Sequence, residues 1–503
     1  MNLVVLPVVL PMLTGLAALL WTRPTAGRRA FFAASAALQL ALALLLGART
    51  HDAGPLVLPV GGWGEAVGIV LVADLLSAIM LALSTFTALA CVLFACAERP
   101  AAAEHPLQLP LVQFLVTGVN LSFVTGDLFN LFVAFEVMLI ASYALLTLEA
   151  DNRNVRHAWS YLAINLVGSA VFLVACGWTY GLFGTLNFAG IAVASDAMAG
   201  DARVTLLALV LLVVFAIKAG LFPLYYWLPN SYPILPGPVA AFFSGMLTKV
   251  GVYVLLRTFG TVFPPTLPVV HDLLAWAAGL TMVFGVLGAV AQSRVQHILS
   301  YHIISQIGFM VLAIGFFTPV AIAAAILYIV HHIVVKSALF LVGGTVRHVF
   351  GQDRLDATGG LWRAAPWLGI AFLLQALSLA GLPPLSGFWG KYLIIVVGVG
   401  KGEWVLIALS LVASILTLVS MLKIWLACFW APAPAGGVPV VPGTRRLTAV
   451  TVGMAAVSLA IGLGVAFFHG VADRAARQVL DRPAYVEAVT GRPAPAAVGT
   501  ILR

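Results

Sequence analysis

Lys218, Lys249, Lys336 and Lys391 each stand inside a long apolar run, as do Glu136, His302, His331 and His332. Hydrocarbon penalises a central lysine or acid by at least ~2.5 kcal/mol, so ionisable groups there need a reason. Structural pairing, or snorkelling toward an interface, accounts for a single residue. It does not account for the set, because no one pair of helices uses so many. The chemistry these residue types share is the binding and release of protons. Burial disfavours a charged ammonium, whereas a carboxylate nearby favours it. At ~4 Å and an effective dielectric near 20 such a pair is worth about 4 kcal/mol, so a small change of separation becomes a protonation switch. Histidine suits the middle of a relay because its unperturbed pKa lies near 6.5. His331 and His332 point about 100° apart on a helix, which leaves open which of the two relays.

The elements that must position these groups follow from composition. Of 503 residues, 62% are hydrophobic and 9% charged, against roughly 25% charged in a soluble domain. The composition predicts an all-α polytopic membrane protein. Apolar runs of about 18 residues or more place spans one to five near 3–21, 30–47, 67–97, 106–125 and 128–149. Spans six to ten fall near 157–183, 203–228, 236–260, 272–292 and 297–317, and the last four near 319–348, 366–400, 404–430 and 447–468. The first run lacks a basic flank and a small-residue cleavage site, and is expected to be a retained span rather than a secretory signal.

Arginine supports this count of fourteen. Loops after odd-numbered spans hold Arg23, Arg28, Arg29, Arg99, Arg153, Arg156, Arg294, Arg347, Arg354, Arg363, Arg445 and Arg446. Those after even-numbered spans hold Arg49, Arg203 and Lys401, with Arg257 near a helix end. The positive-inside bias then puts both termini outside in a cell (inner) membrane. The tail after 469, with five arginines, departs from the rule, and its end is expected to be flexible. Residues 431–445 read as a Pro/Gly-rich cytoplasmic linker.

The backbone beside two of the lysines is irregular. Lys218 precedes Gly220 and Pro223, while Gly381, Pro383 and Pro384 precede Lys391. Proline removes an amide donor and glycine loosens a helix, so spans seven and twelve should break in mid-membrane, where the freed groups must face protein or water. The two AGLxPL strings begin at Ala219 and Ala380, 161 residues and five spans apart. An odd number of spans reverses orientation, which predicts two five-helix inverted repeats with sites near the midplane. The expected domains are 1–105 (spans one to three), 106–260 (first repeat, spans four to eight), 270–430 (second repeat, spans nine to thirteen) and 431–503 (linker, span fourteen and tail). Aligning Ser142-Tyr143 with Gly308-Phe309 sets His302 opposite Glu136.

Five strings carry a resemblance: FNLFVAFEVMLIASYALL from Phe129, KAGLFPLYYWLPNSYP from Lys218, TKVGVYVLLR from Thr248, HHIVVKSALFLVGG from His331 and GLPPLSGFWGKY from Gly381. Together they resemble the antiporter-like proton-channel family, which comprises membrane-arm subunits of respiratory complex I and their relatives in Mrp-type multisubunit antiporters. Within it, the acid-bearing string on span five and the absence of a long C-terminal arm are most similar to the D-type subunits of Mrp antiporters. The resemblance implies that Glu136 and Lys218 interact, that Lys249 passes protons toward the centre and that His332 and Lys336 match the span-eleven segment. Lys391 matches a terminal position that is glutamate in one complex I subunit and lysine in others.

On this reading protons pass from Lys218 through Lys249 and water to the His332/Lys336 region, and Lys391 releases them. The expected partners are the other subunits of an antiporter complex, the bilayer, protons and a monovalent cation, Na+ first. No cofactor is implied, and the sequence locates no cation site in this subunit. The alternative is a proton-pumping subunit of a complex I-type dehydrogenase or membrane-bound hydrogenase. Neither reading makes the chain itself an enzyme.

Other features read as structural. Scattered basic residues, at a net charge of +8, offer no nucleic-acid patch, and no nucleotide-binding or hydrolase motif is present. Cys91, Cys96, Cys176 and Cys428 sit singly in apolar runs, against a disulfide or zinc role. His297 and His302 are five apart rather than the four that align metal ligands, so no metal is expected. Asp127 should cap span five, and Lys423 should snorkel. Asp74 is read as a helix-end or contact residue, with proton uptake as the other possibility.

Overall fold

A computed structural model describes residues 3–21, 23–63, 68–148, 152–495 and 498, and the side chains of 152–154 are outside that description. Among the described residues, eleven helices are long and apolar enough to cross a bilayer. Spans one and four are the shorter helices Leu6–Leu20 and Gln108–Val124, and span twelve is two half-helices, Pro366–Ala380 and Ser386–Gly400. The chain is therefore a multi-pass helical membrane protein. Each of the fourteen expected runs corresponds to one of these helices or half-helix pairs.

Three helices form the centre: span eight (Gly237–Val262), span ten (Val295–Phe316) and span eleven (Pro319–Phe350). Helices apolar on every side are shielded on every side, and nearly every residue of these three is buried. Span two (Ala26–Ala53), span six (within Asn152–Phe183), span thirteen (Trp404–Ile424, continued as a π-helix to Trp430) and span fourteen (Thr444–Leu463) present apolar side chains outward. Leu38, Leu44, Leu166, Val174, Ile415 and Leu426 are exposed there, as suits a lipid-facing surface. Trp21, Trp159, Trp367, Trp404 and Trp430, also exposed, stand near helix ends, where an aromatic belt sits.

Caps set several boundaries. Asp127 accepts from the Asn130 amide at 2.8 Å and starts span five (Leu128–Thr147), as the sequence implied. Asp74 does the same for span three (Leu75–Glu98) through Ser77 at 2.9 Å. That helix begins later than the expected 67, because Val70–Ala73 pairs antiparallel with Leu56–Pro59 in a two-stranded hairpin. A short apolar β-branched run reads equally as a strand or as a helix start, and glycines around 61–68 favour the strand.

The tail also differs from a simple continuation. Span fourteen stops at Leu463, and an amphipathic helix, Val465–Leu480, and a second, Arg482–Thr490, follow. Arg482 is fully buried and grips Asp196 with Nη1 2.8 Å from both carboxylate oxygens. The end of the tail, Val498 apart, lies outside the described residues.

Spans seven and twelve break alike. Ala202–Ala219 ends at Gly220 (φ 76°) and Pro366–Ala380 at Gly381 (φ 93°), in the left-handed region where glycine carries no side-chain cost. Gly220 donates to the carbonyls of Ala216 and Ile217 and Leu221 to that of Ala216. Gly381 donates to Leu377 and Ser378 and Leu382 to Leu377, the same pattern shifted by 161. Within the repeated string the two copies differ at one residue. Phe222 keeps an amide N–H, which donates to Thr281 Oγ1 on span nine (Pro268–Ala291) at 2.9 Å, whereas the corresponding Pro383 has none.

A second correspondence runs at an offset of 167 (127 to 294, and 187 to 354): isolated bridges join Asp127 to Asn187 and Arg294 to Arg354. At the same offset, Gly118 packs on the backbone of Met138 and Gly285 on that of Ser305. This register places Ile303, not His302, at the position of Glu136. The alignment of His302 with Glu136 fails by one residue, because Ser-Tyr and Gly-Phe are too slight a match to fix a helix register.

Candidate functional site

Lys218 is 3% exposed at the last turn of span seven. Its Nζ donates to Ser169 Oγ at 3.2 Å and to the Asn165 carbonyl at 3.3 Å on span six, and lies 5.8 Å from the Phe135 ring centroid. Glu136 is half-buried on span five, and its Oε1 has no hydrogen-bond partner. The two are within electrostatic reach but form no ion pair within 4.0 Å. They occupy the separated geometry of the expected pair.

Span eight brings Lys249 against this point. A Cβ on Gly251 would collide with the Ala219 backbone and lie 2.7 Å from the Lys218 carbonyl carbon, so only glycine permits the approach. A π-helix at Phe243–Leu247 immediately precedes Lys249, a kind of distortion frequent at functional sites. It turns the Ser244 carbonyl to accept from Lys249 Nζ at 2.5 Å. Lys249 and Lys336 are both fully buried and within electrostatic reach of one another. Lys336 Nζ and both ring nitrogens of His332 lack any protein partner. Buried polar atoms are satisfied by protein or by water, and this concentration of unpartnered ones marks a place that water would fill.

Spans ten to thirteen complete the row. His302 Nε2 lies 2.6 Å from Ser420 Oγ, and Gln306 Nε2 donates to Thr417 Oγ1 at 3.3 Å. Gln306 also accepts from the Tyr328 hydroxyl, whose ring lies 5.1 Å from that of His331. His331 Nδ1 is 2.8 Å from Ser386 Oγ. Lys391, 4% exposed, donates to the carbonyls of Leu379 and Ala380 at 3.0 and 3.2 Å and to Ser414 at 3.2 Å. Its Nζ sits 4.3 Å from the centroid of Phe309. All eight sequence-identified groups thus lie within the spanning helices: Lys249, Lys336, His302, His331, His332 and Lys391 stand within electrostatic reach of one another in a chain, and Glu136 stands within reach of Lys218. At the shared end of spans ten and eleven, a cavity of about 450 Å³ lined by His157, Arg294, His297, Arg347 and Asp353 opens outward.

Several participants had no signal in the sequence. Ser414, Thr417 and Ser420 recur every three residues on span thirteen and meet Lys391, Gln306 and His302 in turn. Asn165 and Ser169, one turn apart, do the same for Lys218. Asp74 is not near this row. It forms a buried ion pair with Arg257, Oδ2 to Nη1 at 2.6 Å and Oδ1 to Nη2 at 2.8 Å, with Ser77 and Tyr253 around it. Arg257, expected near a helix end, is 3% exposed for that reason. Lys423 donates to the carbonyls of Val290 and Gln292 at the end of span nine.

Comparison with known proteins agrees with the fold. A family described as NADH:quinone oxidoreductase/Mrp antiporter, transmembrane, matches residues 125–417. The D-type subunit of the Na(+)/H(+) antiporter of Alkalihalophilus pseudofirmus is 40% identical over 97% of this chain and 99% of its own. Its counterpart in Bacillus subtilis is 36% identical with the same coverage. Among solved structures, a chain of the Mrp complex from Dietzia sp. DQ12-45-1b superposes with TM-score 0.91 at 32% identity, over 97% of this chain and 99% of that one. A chain of respiratory complex I from Thermus thermophilus follows at TM-score 0.82 and 26% identity, over 95% and 99%.

Proposed function

This chain belongs to the NADH:quinone oxidoreductase/Mrp antiporter transmembrane family, and from that premise we propose that it is the proton-translocating subunit of a multisubunit Na+/H+ antiporter of the cell membrane. The observation that supports the reading is the buried set of Lys249, Lys336, the three histidines and Lys391, linked by electrostatic reach and with unpartnered polar atoms at its centre, beside the Glu136–Lys218 pair. Sodium comes from the names its relatives carry. Residues 106–260 and 270–430 are taken as the two inverted units, and the arginine distribution orients both termini outside.

The chemistry follows from the geometry. Glu136 and Lys218, now apart, act as the switch: approach of the carboxylate loads the lysine with a proton, and retreat releases it toward Lys249. Lys249, Lys336 and His332 exchange it through water, because their donors face no protein acceptor beyond Ser244 and Thr248. Ser420 beside His302, and Thr417, Gln306 and Tyr328 leading toward His331, line the route between the central lysines and Lys391. Lys391 is the last carrier, and its three oxygen partners hold its ammonium at the broken helix.

The test is proton-driven Na+ exchange in vesicles containing the assembled complex. Lys218→Ala should abolish exchange while the subunit still accumulates and assembles; wild-type exchange would remove Lys218 from the pathway. A redox-complex subunit is the second reading, supported by the likeness to complex I. Co-purified partners carrying flavin or iron–sulfur clusters would establish it instead.

A further inference from the structure

His331 is held by hydroxyls. Its Nδ1 lies 2.8 Å from Ser386 Oγ and 3.5 Å from Ser378 Oγ. Ser386 Oγ is 2.9 Å from Ser378 Oγ and 3.2 Å from Ser458 Oγ. The four side chains are each at most 4% exposed. They come from four different pieces of chain: span eleven, the end of the first half of span twelve, the start of its second half, and span fourteen.

This arrangement is built tightly. Gly387, next to Ser386, donates its amide to Ser378 Oγ at 3.3 Å. Span fourteen presses on the break one turn beyond Ser458. A Cβ on Gly462 would stand 2.7 Å from the Ser386 amide nitrogen and 2.8 Å from the Pro384 carbonyl oxygen. Trp389 Nε1 donates to the Gly462 carbonyl at 3.2 Å and keeps the two segments together. The opposite ring nitrogen, Nε2 of His331, has no partner.

The ring therefore has one nitrogen engaged by protein and one free for exchange. A serine hydroxyl both donates and accepts, so Ser386 accommodates Nδ1 as acceptor or as donor by rotating, and Ser378 and Ser458 reorient with it. In histidine relays and metal sites alike, the partner of one nitrogen decides the state of the other. The titratable groups around His331 are His332, Tyr328 and Lys336 on its own helix, Lys249 on span eight, His302 on span ten and Lys391 on span twelve. Lys391 and His332 are in electrostatic reach of its charge. Span fourteen brings only a hydroxyl.

We propose that Ser386, seated between Ser378 and Ser458, is the positioning residue of His331, and that Ser458 thereby makes the last span part of the proton relay. The inference rests on the reading of His331 as a relay member, and it distinguishes His331, oriented by protein, from His332, whose nitrogens face no protein group.

The experiment is Na+/H+ exchange by the assembled complex in vesicles across a pH series, with Ser386→Ala, Ser386→Thr, Ser458→Ala and His331→Ala. Ser386→Ala should slow exchange about tenfold, the equivalent of one hydrogen bond lost from the transfer step. It should also displace the pH midpoint by roughly 0.5 to 1 unit, the equivalent of one hydrogen bond. Ser386→Thr should restore both, and Ser458→Ala should move the midpoint in the same sense with about a two- to threefold loss of rate. Unaltered rate and midpoint in Ser386→Ala would overturn the proposal. Should that variant fail to assemble, an unmoved midpoint in Ser458→Ala overturns it. Normal exchange by His331→Ala would instead remove His331 from the relay; a dead His331→Ala beside unaltered serine variants would defeat the serine assignment alone.

Discussion

Lys391 reaches back across the break of span twelve to the carbonyl of Leu379, 3.0 Å from its Nζ. At the 161-residue offset of the two breaks, Leu379 is the counterpart of Lys218. The second unit has no lysine at that position, yet an ammonium stands there, delivered from the other half-helix. Both breaks therefore hold a buried amine, Lys391 on the carbonyls freed at its own break and Lys218 on Asn165 and Ser169 of the neighbouring span six.

This equivalence predicts how Lys391 tolerates change. Lys391→Ala should abolish exchange with the complex intact. Lys391→Arg should also lose most activity, because a guanidinium does not shed its proton and is too broad for a site 4.3 Å from the Phe309 ring. Vesicle exchange assays, with the amount of assembled complex as control, check both. Exchange by the arginine form at the wild-type rate would mean that a fixed charge suffices there.

Thr281→Val should cost about 1–3 kcal/mol of stability, since it removes the acceptor of the Phe222 amide. Thr281→Ser should restore it. Thermal unfolding of the detergent-solubilised subunit in its complex measures the difference, and an unshifted transition in the valine form would show that water replaces the hydroxyl.

The buried pair Asp74–Arg257 is structural on its geometry, with two short contacts and supporting bonds from Ser77 and Tyr253. Asp74→Asn should lower stability by ~3–5 kcal/mol, the usual cost of leaving one buried charge alone. Pairing it with Arg257→Met should recover most of the loss, while exchange per assembled complex stays near wild type. A specific loss of exchange in stable Asp74→Asn protein would make Asp74 a proton-uptake group after all.

Gly251→Leu should separate spans seven and eight at Lys218 and block transfer to Lys249, since even a Cβ meets the Ala219 backbone. Overpacking typically costs ~1–3 kcal/mol, and Gly251→Ala should be the milder form. Exchange falling further than assembly, in the order alanine then leucine, is the expected pattern.

Much of this site was legible because a charge in oil is conspicuous. Glu136, the four lysines and the histidines stand out against their apolar runs, and the proline-glycine strings announce the breaks. What was hidden has a common cause. Serine, threonine, asparagine and glutamine satisfy themselves on a helix's own carbonyls, so Ser414, Ser420, Asn165 and Gln306 look ordinary until the neighbouring helix is in place. The π-helix before Lys249 leaves no mark in composition. The hairpin at 56–73 hid within an apolar run, and the amphipathic helix Val465–Leu480 escaped a search for continuous hydrophobicity because its pattern is periodic.

Thr281 and Phe222 bear on how the two halves came to depend on each other. The hydroxyl belongs to one unit and the bare amide to the other, whereas the matching position in the second unit is a proline that asks for nothing. Cut apart between them, the leading half would carry an open wound in its membrane-buried backbone and the trailing half would not. The pseudo-symmetry of the molecule is thus one-sided in its debts: one copy closes itself, and the other is closed by its neighbour.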